Sequence, residues 1–367
     1  MNPLRVGVVG CGAISGIYFE NLGRYAATEV VACADLDPER AGQAAAKHGV
    51  AWWGSTDELL ARDDVELVLN LTVPKAHASI NLEAIAAGKH VYVEKPLAVA
   101  LEDGRKTLAA AAERGLLVGC APDTVLGAGI QTARKLIDEG AIGQIVGCNA
   151  FMMCAGHESW HPSPEFYYEV GGGPMFDMGP YYLTALVTML GPVKRVSGMA
   201  AATFPTRTIT SQPKHGKVVP VETPTHIVGL LQFAGGAIGQ ITTSFDVCAH
   251  TMPCIEVYGS EGSLIVPDPN GFGGDVKLRR RGDSGWQTVP HTHGFAQNSR
   301  GLGVLDMAYA IRNRRPHRAS GALAMHVLEI FHGFLESSKT GATVEISSVD
   351  GRPEAMPTDP PADALPN

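Results

Sequence analysis

The sequence lacks three features that would each indicate a different class of protein. No apolar run approaches the roughly 18 residues that a membrane-spanning helix needs, and no apolar segment typical of a secretory signal follows Met1. Basic residues are outnumbered, with 29 Lys and Arg against 37 Asp and Glu, so the formal net charge is −8. Such a charge disfavours nucleic acid or an anionic membrane as the main partner. We therefore expect neither nucleic acid nor a membrane as a partner.

Cysteine is present, but without a pattern that indicates cross-links. The seven cysteines form an odd set and include no CxxC pair. This argues against a disulfide framework and against a zinc site built from thiolates. We therefore expect buried free thiols, no metal, and a cytoplasmic location.

The chain opens with a strand, a glycine-rich turn and a helix. Leu4–Val9 is a β-rich run, and a helical pattern continues to about Tyr25. Between them, Gly10 permits a tight turn and Gly12 lets the backbone approach a pyrophosphate, which the helix N-terminus attracts. A plain tight turn is the alternative explanation of these glycines. The predicted cofactor contacts in the turn are Gly10, Gly12, Ala13 and Ile14.

The second strand ends in an acid. Asp35 lies 25 residues after Gly10, close to the spacing of a carboxylate that binds an adenosine ribose. This carboxylate would repel a 2′-phosphate, so we expect NAD rather than NADP as the cofactor. Arg40 is the nearby cation that could weaken the preference. A helix-capping role for Asp35 or Asp37 is the alternative.

The pattern of strands and helices changes near residue 122. Before it, apolar strands alternate with helices, which predicts an α/β domain with a doubly wound parallel sheet. After it, closely spaced strands with hairpin turns predict an α+β domain with a large, mainly antiparallel open sheet. We predict a Rossmann domain over 1–123, a substrate-binding and oligomerisation domain over 124–347, and a flexible proline-rich tail over 348–367.

One strand ends abruptly in Glu94-Lys95-Pro96. Proline does not continue a central strand, so the acid and the base are delivered to the strand end, where open parallel sheets bind ligands. Lys95 is therefore a candidate proton-transfer group. An ordinary surface lysine is the alternative.

Together these motifs resemble those of the Gfo/Idh/MocA oxidoreductases, the group of glucose–fructose oxidoreductase and inositol dehydrogenase. The resemblance covers nearly the whole chain except the tail, and it rests on GCGAISG at 10–16, TVPKAH at 72–77, AGKHVYVEKPLA at 87–98, LIDEGAIGQIV at 136–146 and GGGPMFDMGPYY at 171–182. It implies NAD(P)-dependent chemistry on sugars and polyols, and a homodimer or homotetramer associating through the C-terminal sheet. It also implies an often cis Lys-Pro peptide and a nicotinamide lined by Thr72, Pro74, His77, Glu94 and Lys95.

Asp177 and Tyr181 lie four residues apart at a predicted helix start, so they can share one face. The family commonly has a histidine where this sequence has Tyr181, which points away from a histidine mechanism. Tyrosine has an ordinary pKa of about 10, and a neighbouring ammonium such as that of Lys95 would lower this pKa. We predict that Lys95 and Tyr181 form a coupled proton-transfer pair and that Asp177 positions substrate hydroxyls.

The stretch from His157 to His161 matches the HExxH zinc motif, which requires a helix. Gly156 before it and Pro162 after it argue against a long helix. We predict instead a pocket loop in which Trp160, His161 and Tyr167 contact substrate, with His161 as the reserve general base. A packed aromatic loop is the alternative.

These expectations converge on an NAD-dependent oxidoreductase. It would transfer a hydride between nicotinamide C4 and a hydroxyl-bearing carbon of a sugar, glycoside or cyclic polyol. The alternative is a tightly bound NAD used for redox-neutral glycoside cleavage, epimerisation or sugar-to-sugar hydride transfer. A non-catalytic regulator would require an idle Lys95.

Overall fold

The computed structural model describes residues 2–348 and 351–358. The chain divides into two compact units. The first contains the residues up to Gln131, Thr292–Met325 and the segment from Pro353, and the second contains Thr132–His291 and His326–Arg352. The predicted boundary near residue 123 differs from this division, because residues 292–325 group with the first unit.

The first unit is built on a six-stranded parallel sheet with the order β3-β2-β1-β4-β5-β6. The strand order reverses beside β1, which is the position where open α/β sheets bind ligands. All four residues of β4 are buried, as expected for a sheet covered on both faces. The strands are β1 (Leu4–Val9), β2 (Thr28–Ala34), β3 (Trp52–Gly54), β4 (Leu67–Asn70), β5 (His90–Val93) and β6 (Val118–Cys120).

Among the α-helices, α2 (Pro38–His48) has recognisable start and stop residues. The Asp37 side chain caps α2 by accepting from two backbone N–H groups, and Gly49 ends it with a φ of 69°. In chain order they are α1 (Ser15–Leu22), α2 (Pro38–His48), α3 (Thr56–Leu60), α4 (His77–Ala86), α5 (Leu101–Glu113), α6 (Ala128–Asp138), α7 (Gly173–Asp177), α8 (Gly179–Leu190), α9 (Leu302–Asn313) and α10 (Gly321–Thr340). Within the described residues, none of these helices has the length and apolar content needed to cross a membrane.

The second unit contains a nine-stranded sheet with the order β16-β15-β14-β13-β7-β12-β11-β8-β17. Only its β7–β12 pair is parallel, so the predicted mainly antiparallel sheet is confirmed. A separate hairpin of β9 (Thr206–Thr208) and β10 (Val218–Pro220) was not predicted. The sheet strands are β7 (Ile145–Met153), β8 (Val193–Ala201), β11 (His226–Phe233), β12 (Ile238–Ser244), β13 (Ile255–Gly259), β14 (Gly262–Val266), β15 (Val276–Arg280), β16 (Gln287–Val289) and β17 (Val344–Glu345).

The C-terminal half of α10 packs closely against the backbone of this sheet. A Cβ added to Gly229 of β11 would lie 2.3 Å from the Cε1 atom of Phe334. The absence of a side chain there lets the buried Phe334 ring reach the strand.

The structure describes part of the predicted tail, and that part is packed. Met356 is buried, and its backbone N–H donates to Oε1 of Gln131 at 2.9 Å. Arg352 donates through Nε to the carbonyl oxygen of Thr188 at 3.0 Å. Of the predicted tail, Arg352 and Met356 are thus packed, and residues 349–350 and 359–367 lie outside the described chain.

Candidate functional site

The turn after β1 combines one glycine required by packing with one that is not. Gly10 has a φ of 98°, and a Cβ there would lie 2.8 Å from the carbonyl carbon of Leu71. A Cβ on Gly12 would meet no described atom within 4 Å. No side chain of the described residues caps the start of α1, although the backbone N–H of Ser15 donates to the Gly12 carbonyl oxygen at 3.1 Å. The bare backbone at Gly12 thus leaves room for an anion at a helix N-terminus.

Asp35 is anchored to this turn. Its Oδ2 accepts from the backbone N–H of Cys11 at 2.8 Å, and its Oδ1 accepts from that of Asp37 at 2.9 Å. Nη1 of Arg40 lies 3.3 Å from the same Oδ1. Because Asp37 caps α2, the capping role considered for Asp35 belongs to its neighbour. The Asp35 carboxylate is held instead at the β1–β2 edge, where a ribose would bind.

Exposed apolar side chains follow three adjacent strands at this edge. Ile14 lies after β1, Leu36 after β2 and Val73 after β4, with 38%, 101% and 67% of their surface exposed. Exposed apolar groups that follow adjacent strands offer a surface for aromatic rings of a ligand. Ile14 was predicted as a contact from the sequence, whereas Leu36 and Val73 were not, because their exposure has no local sequence signal.

Glu94 holds the backbone at the end of β5. Its Oε1 accepts from the Tyr18 hydroxyl at 2.8 Å, and its Oε2 accepts from the backbone N–H of Lys95 at 2.9 Å. Burial, and then the charge of Glu94, raise the pKa of Tyr18 well above its usual value. The Lys95–Pro96 peptide is cis, as the resemblance implies. The carboxylate of Glu94 therefore fixes the main chain from which the Lys95 side chain starts.

His77 joins the segments that follow β4 and β5. Its fully buried ring places Nδ1 at 2.6 Å from the Pro96 carbonyl oxygen and Nε2 at 3.0 Å from that of Thr72. Burial lowers the pKa of His77, although both carbonyl oxygens act in the opposite direction. The ring has no exposed edge for a cofactor, so His77 positions the neighbouring backbone. Pro74 begins a short 3-10 helix between the two segments.

In the second unit, Asp177 and Tyr181 belong to two consecutive helices. Asp177 ends α7, and Tyr181 lies in the first turn of α8. The turn before them requires glycine, since Gly173 has a φ of 81° and its Cβ would lie 2.7 Å from the Pro224 carbonyl oxygen. Tyr181 is buried, whereas the Asp177 side chain is 17% exposed.

Asp177 faces a histidine that the sequence analysis did not select. Nε2 of His157 lies 3.3 Å from Oδ2 of Asp177. His157 is the first histidine of the HExxH match, and it was not predicted as a site residue. The pairing joins residues 20 positions apart, and no local pattern indicates it.

The predicted loop around this motif is irregular, as expected, with a 3-10 helix over Pro164–Tyr167. Trp160 is 61% exposed, while Tyr167 is only 9% exposed. His161 accepts through Nδ1 from the Ser163 backbone N–H at 3.0 Å, and burial lowers its pKa. Among the predicted contact residues, the loop therefore presents Trp160 and packs Tyr167.

A buried charge network fixes this loop. Arg207 donates to Oε1 of Glu158 at 2.9 Å and also binds Asp246. The carbonyl oxygen of Glu158 accepts from the N–H groups of Thr210 and Ser211, both at 2.9 Å. The position next to His157 is thus held through both its side chain and its main chain.

Two family models match the chain. The NAD-binding Rossmann fold of an oxidoreductase family matches residues 4–121, and the GFO/IDH/MocA C-terminal domain matches residues 130–265. The 1,5-anhydro-D-fructose reductase of Ensifer adhaerens is 30% identical over 267 residues, which cover 71% of this chain and 75% of that protein. The chain belongs to the GFO/IDH/MocA oxidoreductase family. The predicted fold class and the prediction of an enzyme are therefore confirmed.

Two further proteins are similar to this chain. The D-xylose dehydrogenase of Paenarthrobacter nicotinovorans is 28% identical over 60% of this chain and 59% of that protein. A levoglucosan dehydrogenase solved with NADH and L-sorbose superposes with a TM-score of 0.82 at 21% identity, covering 94% of this chain and 99% of that one. At that identity the superposition shows a shared fold.

Proposed function

We propose that this protein is an NAD-dependent dehydrogenase or reductase acting on a hydroxyl-bearing carbon of a sugar, glycoside or cyclic polyol. The observation that carries the proposal is Lys95, whose backbone is fixed by Glu94 at the end of β5. It lies in the unit that also carries the open backbone of Gly12. When bound, the cofactor supplies a hydride donor or acceptor at nicotinamide C4. Relatives named as anhydrofructose, xylose and inositol enzymes support this substrate class.

The residues of the first unit that were predicted to bind a cofactor fit NAD. Gly10, Gly12 and Ala13 would hold the pyrophosphate, while Ile14 and Asp35 would contact the adenosine. Asp35 supports a preference for NAD, because its carboxylate would repel a 2′-phosphate. Thr72, Pro74 and Glu94 would line the nicotinamide side, with His77 positioning their backbone.

In this proposal Lys95 and Tyr181 move the hydroxyl proton as a pair. Lys95 contributes a positive charge and an N–H donor to the reacting oxygen, and the Tyr181 hydroxyl exchanges the proton. Asp177 accepts hydrogen bonds from substrate hydroxyls, Trp160 offers a ring face to C–H groups, and His161 is a polar contact. Tyr167, largely buried, would contribute only its exposed edge.

Two substitutions test the pair. We expect Lys95→Met and Tyr181→Phe each to lower kcat/KM by about 10²- to 10⁴-fold, the usual size of positioned acid–base catalysis. NADH binding, measured by fluorescence titration, should persist in Tyr181→Phe because that change lies in the second unit.

Tyr182→Phe is the matched control. It removes a neighbouring buried hydroxyl from the same helix that has no part in the proposed chemistry, so turnover should persist. Near wild-type turnover in both Lys95→Met and Tyr181→Phe would contradict the pair.

A further inference from the structure

A buried histidine beside Asp177 has no part in the proton transfer proposed above. The His157 side chain is 11% exposed and the Asp177 side chain 17%, with 3.3 Å between Nε2 and Oδ2. A hydrogen bond between largely buried partners is less weakened by solvent than one at the surface. It can therefore determine how the carboxylate is oriented.

Three aromatic rings hold the His157 ring independently of Asp177. The ring centroids of Tyr167, Phe245 and Trp160 lie 4.3, 4.5 and 5.2 Å from that of His157, each in an edge-to-face arrangement. These contacts restrict the rotation of the imidazole. Nε2 is consequently presented to Asp177 by packing rather than by the hydrogen bond alone.

The backbone of His157 is fixed as well. Its N–H donates to the Tyr168 hydroxyl at 3.4 Å, and the same hydroxyl donates to Glu158. Burial, and then that hydrogen bond, raise the pKa of Tyr168 well above its usual value. The hydroxyl therefore stays protonated and continues to bridge the two loop residues.

The surroundings of the second ring nitrogen select one tautomer. Nδ1 of His157 is buried and has no hydrogen-bond partner among the described residues. A proton on Nδ1 would be a buried donor without an acceptor, which is unfavourable. A proton on Nε2 instead donates to the carboxylate of Asp177, so the neutral ring carries its proton on Nε2.

We propose that His157 is the positioning residue of this site: it donates from Nε2 to Oδ2 of Asp177 and fixes the carboxylate that receives substrate hydroxyls. The inference rests on the proposed function, since it assigns Asp177 to substrate. His157 does not touch the reacting carbon or the cofactor in this role. It acts through the orientation of Asp177.

Two substitutions separate hydrogen bonding from ring packing. His157→Gln keeps an N–H donor near the position of Nε2, and His157→Phe keeps an aromatic ring but removes the donor. We expect His157→Phe to lower kcat/KM by about 10- to 100-fold, the size of a hydrogen bond to a charged group. His157→Gln should remain within about threefold of wild type, and His215→Phe, which changes an exposed histidine of the same unit, should match wild type.

Any other ranking overturns the proposal. Activity that persists in His157→Phe and falls in His157→Gln would assign the residue to packing alone. An equal loss of kcat/KM in both His157 variants, or no loss in either, would also refute hydrogen-bond donation to Asp177.

Nitrogen-15 NMR of the histidine rings tests the same contact without turnover. The resonances that disappear in His157→Gln should show the Nε2–H tautomer and should shift in Asp177→Asn. An Nδ1–H tautomer, or no response to Asp177→Asn, would overturn the inference. If no carbohydrate is turned over while the NMR result holds, the proposed function fails and the hydrogen bond stands.

Discussion

Asp35 and Arg40 put opposite charges 3.3 Å apart at the expected adenosine ribose. Asp35→Asn removes the negative charge but keeps an oxygen that accepts from Cys11. We expect the affinity for NADH to fall by about 10-fold, a hydrogen bond to a charged group being lost, while the affinity for NADPH is unchanged or rises. Fluorescence titration with both cofactors measures the ratio.

Asp37→Asn is the control for that substitution. Asp37 caps α2, so its replacement should affect stability more than the NADH:NADPH ratio. An unchanged ratio in Asp35→Asn would place ribose recognition elsewhere.

The two glycines of the first turn should respond differently to alanine. Gly12→Ala adds a methyl group where no described atom lies within 4 Å, so we expect unfolding free energy to change by less than about 0.5 kcal/mol. NADH affinity should fall at least about 10-fold, because the methyl group occupies space needed by the pyrophosphate.

Gly10→Ala should instead lower the free energy of unfolding. Its φ of 98° and the contact with Leu71 make the substitution unfavourable for folding itself. Urea unfolding and NADH titration of both variants check the contrast. Unchanged NADH binding in Gly12→Ala would contradict the predicted pyrophosphate site.

At this scale the sequence predicts residues whose roles follow from a local motif. Cofactor contacts were predicted for Gly10 and Asp35 because strand ends and the spacing of glycines can be recognised from the sequence alone. His157 was missed because its partner Asp177 is brought near only by tertiary structure. His77 was assigned to the cofactor, although burial gives its ring two backbone carbonyl partners instead.

At the scale of elements, Asp123 makes the stability of the fold at the start of α9 depend on pH. Its buried Oδ2 accepts from the N–H groups of Gly301 at 2.8 Å and Gly303 at 3.0 Å. Burial raises its pKa from the ordinary 3.8 to about 6. The folded state therefore binds this proton more tightly than the unfolded state does, so its contribution to stability is complete below about pH 4 and is lost as the pH rises through about 6.

Asp123→Asn tests this coupling, because the amide oxygen can accept from both N–H groups without ionising. Relative to wild type, the variant should gain about 2 kcal/mol in unfolding free energy between about pH 4 and about pH 7. Urea unfolding at both pH values measures it. A difference between variant and wild type that does not change with pH would contradict the coupling.

Strands and helices with a clear period were predictable to within a few residues, and β1 runs over Leu4–Val9 as expected. The hairpin of β9 and β10 was not predicted, because strands of three residues are too short to show an alternation of apolar and polar residues. The separate α7 was also missed, because its five residues continue directly into the pattern of α8.

At the scale of the molecule, we propose a homo-oligomer that associates through the open face of the nine-stranded sheet. Met199, Leu230 and Ile238 are 80%, 52% and 63% exposed, and the strand register places all three on one face. Leu230→Lys should shift the protein toward monomers, because it places a charge within an apolar contact. Sedimentation velocity measures the change.

Val218→Lys is the matched control. It changes an exposed apolar residue of the separate β9–β10 hairpin and should leave assembly unchanged. Equal sedimentation of wild type and Leu230→Lys would place the interface elsewhere.

The proposed reaction is net hydride transfer between NAD and a hydroxyl-bearing carbon of a carbohydrate. It is tested most directly by incubating the purified protein with excess NAD and a panel of monosaccharides, glycosides, anhydrosugars and inositols. The measurement is the amount of NADH formed per enzyme molecule. We expect at least one compound to yield NADH far in excess of the enzyme. Consumption of a sugar with no more NADH than enzyme would contradict it and indicate redox-neutral chemistry on a retained cofactor.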